Sequence, residues 1–507
     1  MGWRDKRSNA ADHLLDTGRA DDVAVVDGAQ RYTYRDLRGA VARLIEALGA
    51  LDLPRGSRVA VLGPNSFFWI AGYLAAMKAG CVAVPVSDRA TLDEVRRNLA
   101  LVGAEAAFVD RRALRRLGAA LEGIAPVTDE ALTAADRLDE AWPELPAATE
   151  CDLDADAALM FTSGTTSQPK AVRVTHRNIL ANTDSIVGYL GLGAEDRVLV
   201  VLPFYYCYGA SLLHTHLRVG GRVVLLNSFA FPEVALDLLE REECTVLAGV
   251  PSTFQLLLRA ASFTARELPS LRVVQQAGGK LAPVLVEELL GARNTARLFL
   301  MYGQTEATAR LSYLPPELLR SKPDSIGRGI AGVELRVLDE AGDPVRPGEQ
   351  GEIYARGESI CPGYYGAPTE SAAKFTPSGL RTGDLATIDE DGDVFIVDRR
   401  DDFIKTWGFR VSSQEIEDCA LRLDRLTSAA AVGVPDLAAG EAIILFVVAR
   451  PGAEVTPDEV LAVCRAHLAK HMVPAGVFVV DALPLTGNGK VAKARLVTAA
   501  AGGTPTA

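Results

Sequence analysis

At 507 residues the chain exceeds what one hydrophobic core supports, so at least two domains are expected. Its 49% apolar and 23% charged residues are ordinary for a globular protein. The formal net charge of -12 excludes the broad basic face that nucleic acids and anionic membranes require, though not a ligand held by a local cluster of donors. The seven cysteines are scattered with no C-x-x-C pair, which reads as reduced thiols in a cytoplasmic protein. The six histidines form no H-E-x-x-H, and the polar start Met1-Gly-Trp-Arg-Asp-Lys-Arg lacks the apolar run of a signal peptide.

In chain order, residues 58–63 form an apolar run ending at Gly-Pro-Asn, and Ser66 is placed to cap a following helix. The most hydrophobic stretch, residues 67–86, contains Lys78, Gly80 and Pro85, so it predicts a buried helix followed by a buried strand rather than a membrane span. Strand-then-helix patterns recur at 197–202, 222–226, 245–249 and 272–276, which implies parallel strands with helices over their faces. From about Gly332 the texture changes to strands joined by Asp/Gly turns. The charged run Asp398-Arg-Arg-Asp-Asp402 marks the expected boundary. Beyond it, strands over 429–434 and 443–449 and a helix over 457–470 suggest a smaller α+β unit. The expected fold is α/β: a large multi-sheet N-terminal domain, residues 1–398, with a small mobile α+β C-terminal domain, residues 399–507.

The strongest local signal is Thr162-Ser-Gly-Thr-Thr-Ser-Gln-Pro-Lys170, which follows an apolar strand-like stretch over 157–161. Hydroxyls and flexible backbone N–H groups can wrap phosphate oxygens while a lysine neutralises their charge. The spacing is not that of a P-loop, so that mechanism does not transfer.

This segment resembles the signature of the adenylate-forming superfamily, which includes acyl-CoA synthetases, peptide-synthetase adenylation domains and firefly luciferase. Two signature glycines are replaced, by Ser167 and Ala171. Four further motifs share the likeness, in the family's order: Tyr302-Gly-Gln-Thr-Glu306, Thr382-Gly-Asp-Leu385, the run from Asp398 to Lys405, and Pro484-Leu-Thr-Gly-Asn-Gly-Lys490. The resemblance implies ATP held by Thr162, Ser163, Gly164, Thr165, Thr166, Lys170, Gly303 and Thr305, with Gly278, Gly279 and Tyr302 at the adenine. Asp384 would meet the ribose, with Arg399 donating to the same sugar or the α-phosphate, and Glu306, with Thr165 or Thr166, would hold Mg2+. Lys490 would bridge substrate carboxylate and α-phosphate, and Asp401 would be the hinge for lid rotation. Attack of one anion on another makes positioned cations the main catalytic resource, with Lys490, Lys170 and Arg399 as candidates beside Glu306.

The acid is less legible. In Pro203-Phe-Tyr-Tyr-Cys-Tyr-Gly209 the family's usual histidine is replaced by Tyr206, so its role is not carried over. No acidic residue lies between Val200 and Phe231, which weakens an α-amino acid because a buried ammonium needs an anion. Tyr206, Gly209, Gly278 and Met301 are the candidate acid pocket, suited to an aryl or short functionalised acid. His176 reads as a helix-start residue beside the Thr175 cap rather than a base.

The expected function is ATP-dependent ligation of a carboxylic acid. An acyl-AMP and pyrophosphate form first, and the acyl group then passes to a thiol, either CoA or a carrier-protein phosphopantetheine. Alternatives are amide formation, nitrite activation or a nucleotide-binding pseudoenzyme. Expected partners are a small acid and an acyl carrier protein, with no nucleic acid or membrane, in a cytoplasmic monomer or homodimer.

Overall fold

The computed structural model describes residues 9–133, 142–148, 150–162, 169–292, 296–399, 403–437, 439–486 and 491–501. Among them, strands assemble into three sheets. The largest has a parallel block, in spatial order Arg297–Tyr302, Val273–Gln276, Val246–Gly249, Arg197–Val200, Arg222–Leu225 and Val23–Asp27. Through Ser312–Leu314 and Ser325–Gly329 it continues into an antiparallel meander of Val394–Arg399, Gly379–Ile388, Gln350–Gly357 and Val333–Leu338. These last strands are the ones announced by the Asp/Gly turns. The four β-α patterns all fall on parallel strands of this sheet.

A second sheet orders Gly363–Tyr364, Lys170–Thr175, Asp156–Thr162, Val82–Val86, Arg58–Leu62, Ala106–Val109 and Ala125–Thr128. Between the two sheets lies a layer of helices that includes Ala10–Leu15, Phe67–Lys78, His176–Leu190 and Cys207–Val219. Phe67–Lys78 is buried at every position, which explains an apolar run with no polar face. Ser66 caps it by accepting from the Trp69 N–H at 3.1 Å. Lys78, at its end, is enclosed because its ammonium pairs with buried Asp12.

The third sheet pairs Phe409–Ser412, Phe403–Thr406, Gly440–Ala449 and Leu426–Asp436, with Gly476–Val479 parallel to Gly440–Ala449. The chain changes sheets between Arg399, still in the large sheet, and Phe403. The expected helix over 457–470 stops at His467: Leu468 turns extended, and a short 3-10 turn follows at Lys470–Met472. His467 and His471 therefore do not share a helix face, and His471 stacks on Phe409 instead, 4.1 Å between ring centres.

The small unit rests on the large one. Helix Pro251–Ala260 packs against strand Leu426–Asp436, and one apolar core includes Leu281 and Leu285 with Ile416 and Leu445. Lys280 adds an ion pair across this junction, with Asp418 Oδ2 at 3.3 Å and Asp324 Oδ1 at 3.0 Å. No described helix is long and apolar enough to cross a membrane.

Candidate active site

The candidate residues gather beyond the C-terminal ends of the parallel strands and along the seam with the second sheet, where ligands of open α/β sheets bind. Strand Arg297–Tyr302 ends in Gly303 and a 3-10 turn at Thr305–Ala307 that carries Glu306. Gly303 is dictated by space, since a Cβ there would sit 1.9 Å from the Ala309 carbonyl oxygen. Two residues past Glu306, Thr308 has φ 65 and ψ -59, and the Ala309 N–H donates to the Ala307 carbonyl at 2.7 Å. This is a γ-turn of the rarer, strained hand, held by the Thr308 hydroxyl on Ser359 O at 2.7 Å.

Glu306 is buried, and its Oε1 accepts a hydrogen bond from the Tyr364 hydroxyl at 2.7 Å. Tyr364 belongs to the short strand Gly363–Tyr364, which pairs with Lys170–Thr175. Lys170 Nζ lies 5.2 Å from the centre of the Tyr364 ring. Burial first, and then the Glu306 charge, push the Tyr364 phenol above its usual range, so it stays a donor. Tyr364 is a site residue that the sequence reading missed: a Gly-Tyr pair on a two-residue strand has no periodic signature.

On the other flank, the Tyr302 hydroxyl donates to Asp384 Oδ2. Asp384 is buried and faces Arg399 directly across the antiparallel pair Gly379–Ile388 and Val394–Arg399. The two residues expected at the ribose are thus cross-strand neighbours by backbone register. Gly278 and Gly279 follow strand Val273–Gln276 beside the end of Arg297–Tyr302, and Gln276 Nε2 donates to Gly279 O at 2.8 Å. Thr305 Oγ1 donates to Cys207 Sγ at 3.4 Å, and the Cys361 thiol, buried and pushed up to about 12, donates to Thr305 O at 3.5 Å.

The acid-pocket candidates cluster at the start of helix Cys207–Val219. Tyr206 is its N-cap residue and packs on Tyr205, 4.6 Å between ring centres, with its phenol pushed up by burial. Gly209 shapes the first turn, because a Cβ would lie 2.1 Å from Pro203 O. Met301 is buried and its sulfur accepts from Tyr189 Oη at 3.0 Å.

Thr162 pairs with Lys170 across the two strands that flank the hydroxyl-rich loop. Ser163, Gly164, Thr165, Thr166, Asp401 and Lys490 lie outside the described residues, as does the Arg399 side chain. His176 is the first residue of helix His176–Leu190 beside the Thr175 cap, and its Nδ1 accepts from the Ala10 N–H at 3.1 Å. Burial lowers its pKa to about 4. Among the described residues, the one acidic group compact enough to share an ion is Asp389, Asp391 and Asp393, into which Lys322 inserts its ammonium.

A buried carboxylate held by a tyrosine whose ring lies beside a lysine, an aspartate facing an arginine across two strands, and a glycine pair beside the strand that ends in Tyr302 fit a nucleotide-handling α/β enzyme. The chain belongs to the family of AMP-binding enzymes: the AMP-binding enzyme model matches residues 15–365, and that of the AMP-binding enzyme C-terminal domain matches residues 415–490. It is similar to a feruloyl-CoA synthase of Amycolatopsis sp, 31% identical over 493 residues that cover 97% of each chain. In structure it resembles the amide bond synthetase McbA from Marinactinospora thermotolerans, with TM-score 0.85 and 29% identity over 96% of this chain and 99% of that one. It also resembles the O-succinylbenzoate coenzyme A synthetase MenE from Bacillus subtilis in complex with ATP and magnesium ion. That likeness has TM-score 0.84 and 27% identity, over 96% of this chain and 99% of the other. The chain is an AMP-forming ligase of carboxylic acids.

Proposed function

We propose that the chain activates an acyl or aryl acid with MgATP and transfers it to CoA. The observation that carries this reading is the Lys170–Tyr364–Glu306 arrangement, one strand end away from the Tyr302–Asp384 pair. A cation and a hard anion together suit phosphates and Mg2+, and the Tyr302–Asp384 pair suits a sugar, which supports the reading. In the first step a carboxylate oxygen attacks the α-phosphorus and pyrophosphate leaves. In the second a thiol sulfur attacks the acyl carbon and AMP leaves.

Glu306 suits Mg2+, since it offers one hard carboxylate and the remaining ligands come from phosphate oxygens and water. The bound ion neutralises phosphate charge. Lys170 faces the same charge, while Tyr302 and the Gly278–Gly279 backbone hold the adenine. Asp384 and Arg399 hold the ribose. Residues from 399 onward form the lid, Asp401 is its hinge, and Lys490 aligns carboxylate and α-phosphate for in-line displacement.

Acid-dependent exchange of labelled pyrophosphate into ATP, over a panel of acids, tests the first step. Absence of exchange with every acid despite ATP binding would sink the reading. Lys490→Ala is expected to lose several powers of ten in exchange, about 10³-fold or more, as for other groups that stabilise transition-state charge. Mass analysis with CoA, a phosphopantetheinyl carrier protein or an amine offered as acceptor separates the second steps. Similarity to an amide bond synthetase supports the amine as the competing acceptor.

A further inference from the structure

Behind the Glu306 turn, on the face of the large sheet that meets the helix layer, lies a guanidinium with no counter-charge. The γ-turn at Thr308 carries the chain back over Gly303 and sends Arg310 into the core, where it is 1% exposed. Asn182 clamps its backbone from both sides, accepting from the Arg310 N–H at 3.3 Å and donating to the Arg310 carbonyl at 2.9 Å. The guanidinium carbon lies 4.0 Å from the centre of the Tyr208 ring, and Nε points at Met301 Sδ, 3.4 Å away. The guanidinium also donates to the Tyr189 hydroxyl, Nη2 has no hydrogen-bond partner, and among the described residues no carboxylate reaches the group.

The same tyrosine touches a second orphan. The Tyr208 hydroxyl donates to the main-chain oxygen of Gln275 at 2.9 Å. The Gln275 side chain is 1% exposed, with neither amide atom paired. Parallel register sets Gln275 beside Phe299, and Met301 follows two residues on, along the same sheet face.

Arginine keeps its charge in any protein environment, and a buried charge without an anion is among the costliest arrangements in a fold. Elsewhere the chain avoids it: Lys78 and Arg259, comparably enclosed, hold Asp12 and Glu288. Arg310 has no such carboxylate among the described residues, and it stands between Met301 and Tyr208, at the proposed acid-binding end of the site.

We infer that Arg310, with the Gln275 amide, receives a second anionic group on the acid substrate. That group is a carboxylate or an equivalent oxyanion, remote from the carboxylate that is activated. The inference rests on the ligase reading and names the substrate class within it. The guanidinium supplies its unpaired Nη2 and its full charge, the Gln275 amide adds another donor, and the Tyr208 ring holds the guanidinium plane in place. Arg310 is a specificity residue: it selects the acid and takes no part in phosphoryl transfer.

The test compares dicarboxylic acids with monocarboxylic analogues of equal length, aliphatic and aryl, in acid-dependent pyrophosphate exchange. Wild type, Arg310→Met and Arg310→Lys are measured. Wild type is expected to favour the diacid by about 100-fold or more in kcat/KM, the scale on which a site built for a polar group rejects analogues that lack it. Arg310→Met is expected to abolish or reverse that preference, and Arg310→Lys to retain part of it. Each ratio is internal to one protein sample, so a partly unfolded variant does not distort it. If a variant fails to fold, the wild-type preference decides. Wild type that favours monoacids, or a diacid-to-monoacid ratio unchanged in Arg310→Met, overturns the inference and leaves the ligase standing. No exchange with any acid overturns the ligase reading itself.

Discussion

Tyr364→Phe isolates one oxygen atom at the centre of the site. That oxygen lies 2.7 Å from Glu306 Oε1, and the carboxylate it serves is 9% exposed, so water is a poor substitute. The ring survives the change and keeps its place under Lys170 and edge-on to Phe375, 5.6 Å between centres, so the fold is expected to hold. A hydrogen bond to a charged group contributes about 1.5–3 kcal/mol, or about 10- to 150-fold in an equilibrium or rate constant. If Glu306 holds Mg2+, its loss should appear as a lower kcat/KM for MgATP together with a higher Mg2+ concentration at half-maximal pyrophosphate exchange. Lys170→Met serves as the contrast, since it removes the cation proposed to face phosphate and leaves Glu306 and its donor in place. An unchanged Mg2+ midpoint in Tyr364→Phe, with exchange within twofold of wild type, would refute the assignment of Glu306 as the ion's ligand.

Gly303→Ala forces a methyl group against the Ala309 carbonyl at 1.9 Å, where backbone cannot yield. Overpacking of this kind costs about 1–3 kcal/mol, so Tm and exchange activity should fall together, and a Tm equal to wild type would refute it. Burial holds the pKa of His176 and His216 at about 4 and that of His214 at about 3, below the ordinary 6.5. Between those values the unfolded chain binds more protons than the folded one, so stability must rise with pH across roughly pH 4 to 6.5. The slope is about 1.4 kcal/mol per pH unit for each fully titrating histidine, and a Tm that stays flat through this window would refute the burial. Lys280→Met removes the ion pair to Asp418 while leaving the apolar junction intact. For a pair with a third of Lys280 and a fifth of Asp418 exposed this costs about 1 kcal/mol in docking of the small C-terminal unit, and the ratio of pyrophosphate exchange to thioester formation should shift about fivefold. An unchanged ratio would show the pair to be passive.

Much of the architecture was legible because it rests on local patterns. The all-apolar helix Phe67–Lys78, its Ser66 cap and the strand Val82–Val86 follow from composition and one hydroxyl. Lys78, an outlier in that run, could not be explained from sequence, because Asp12 is 66 residues away. The parallel strands could be read one by one, but not their distribution over two sheets, which is settled by long-range register. Motif likeness placed Glu306, Tyr302 and Asp384 near a nucleotide, yet gave no hint that Tyr302 and Asp384 touch or that Tyr364 serves Glu306. Arg310 was invisible for a related reason: four residues past Glu306 it reads as a surface cation, and only the γ-turn at Thr308 buries it.

The hydrogen bond from Tyr364 to Glu306 joins residues of different sheets, one from the three-strand corner that carries Lys170, the other from the turn after Arg297–Tyr302. A bond across a seam reports the spacing of its two sides. That spacing is set by the helix layer between the sheets, Phe67–Lys78 included, so a methylene lost there would be felt at Glu306 without any contact to it. Turnover in this enzyme is then a gauge of its own interior. Core substitutions that barely move Tm should register as changed Mg2+ dependence, and warming should blunt catalysis before the sheets part.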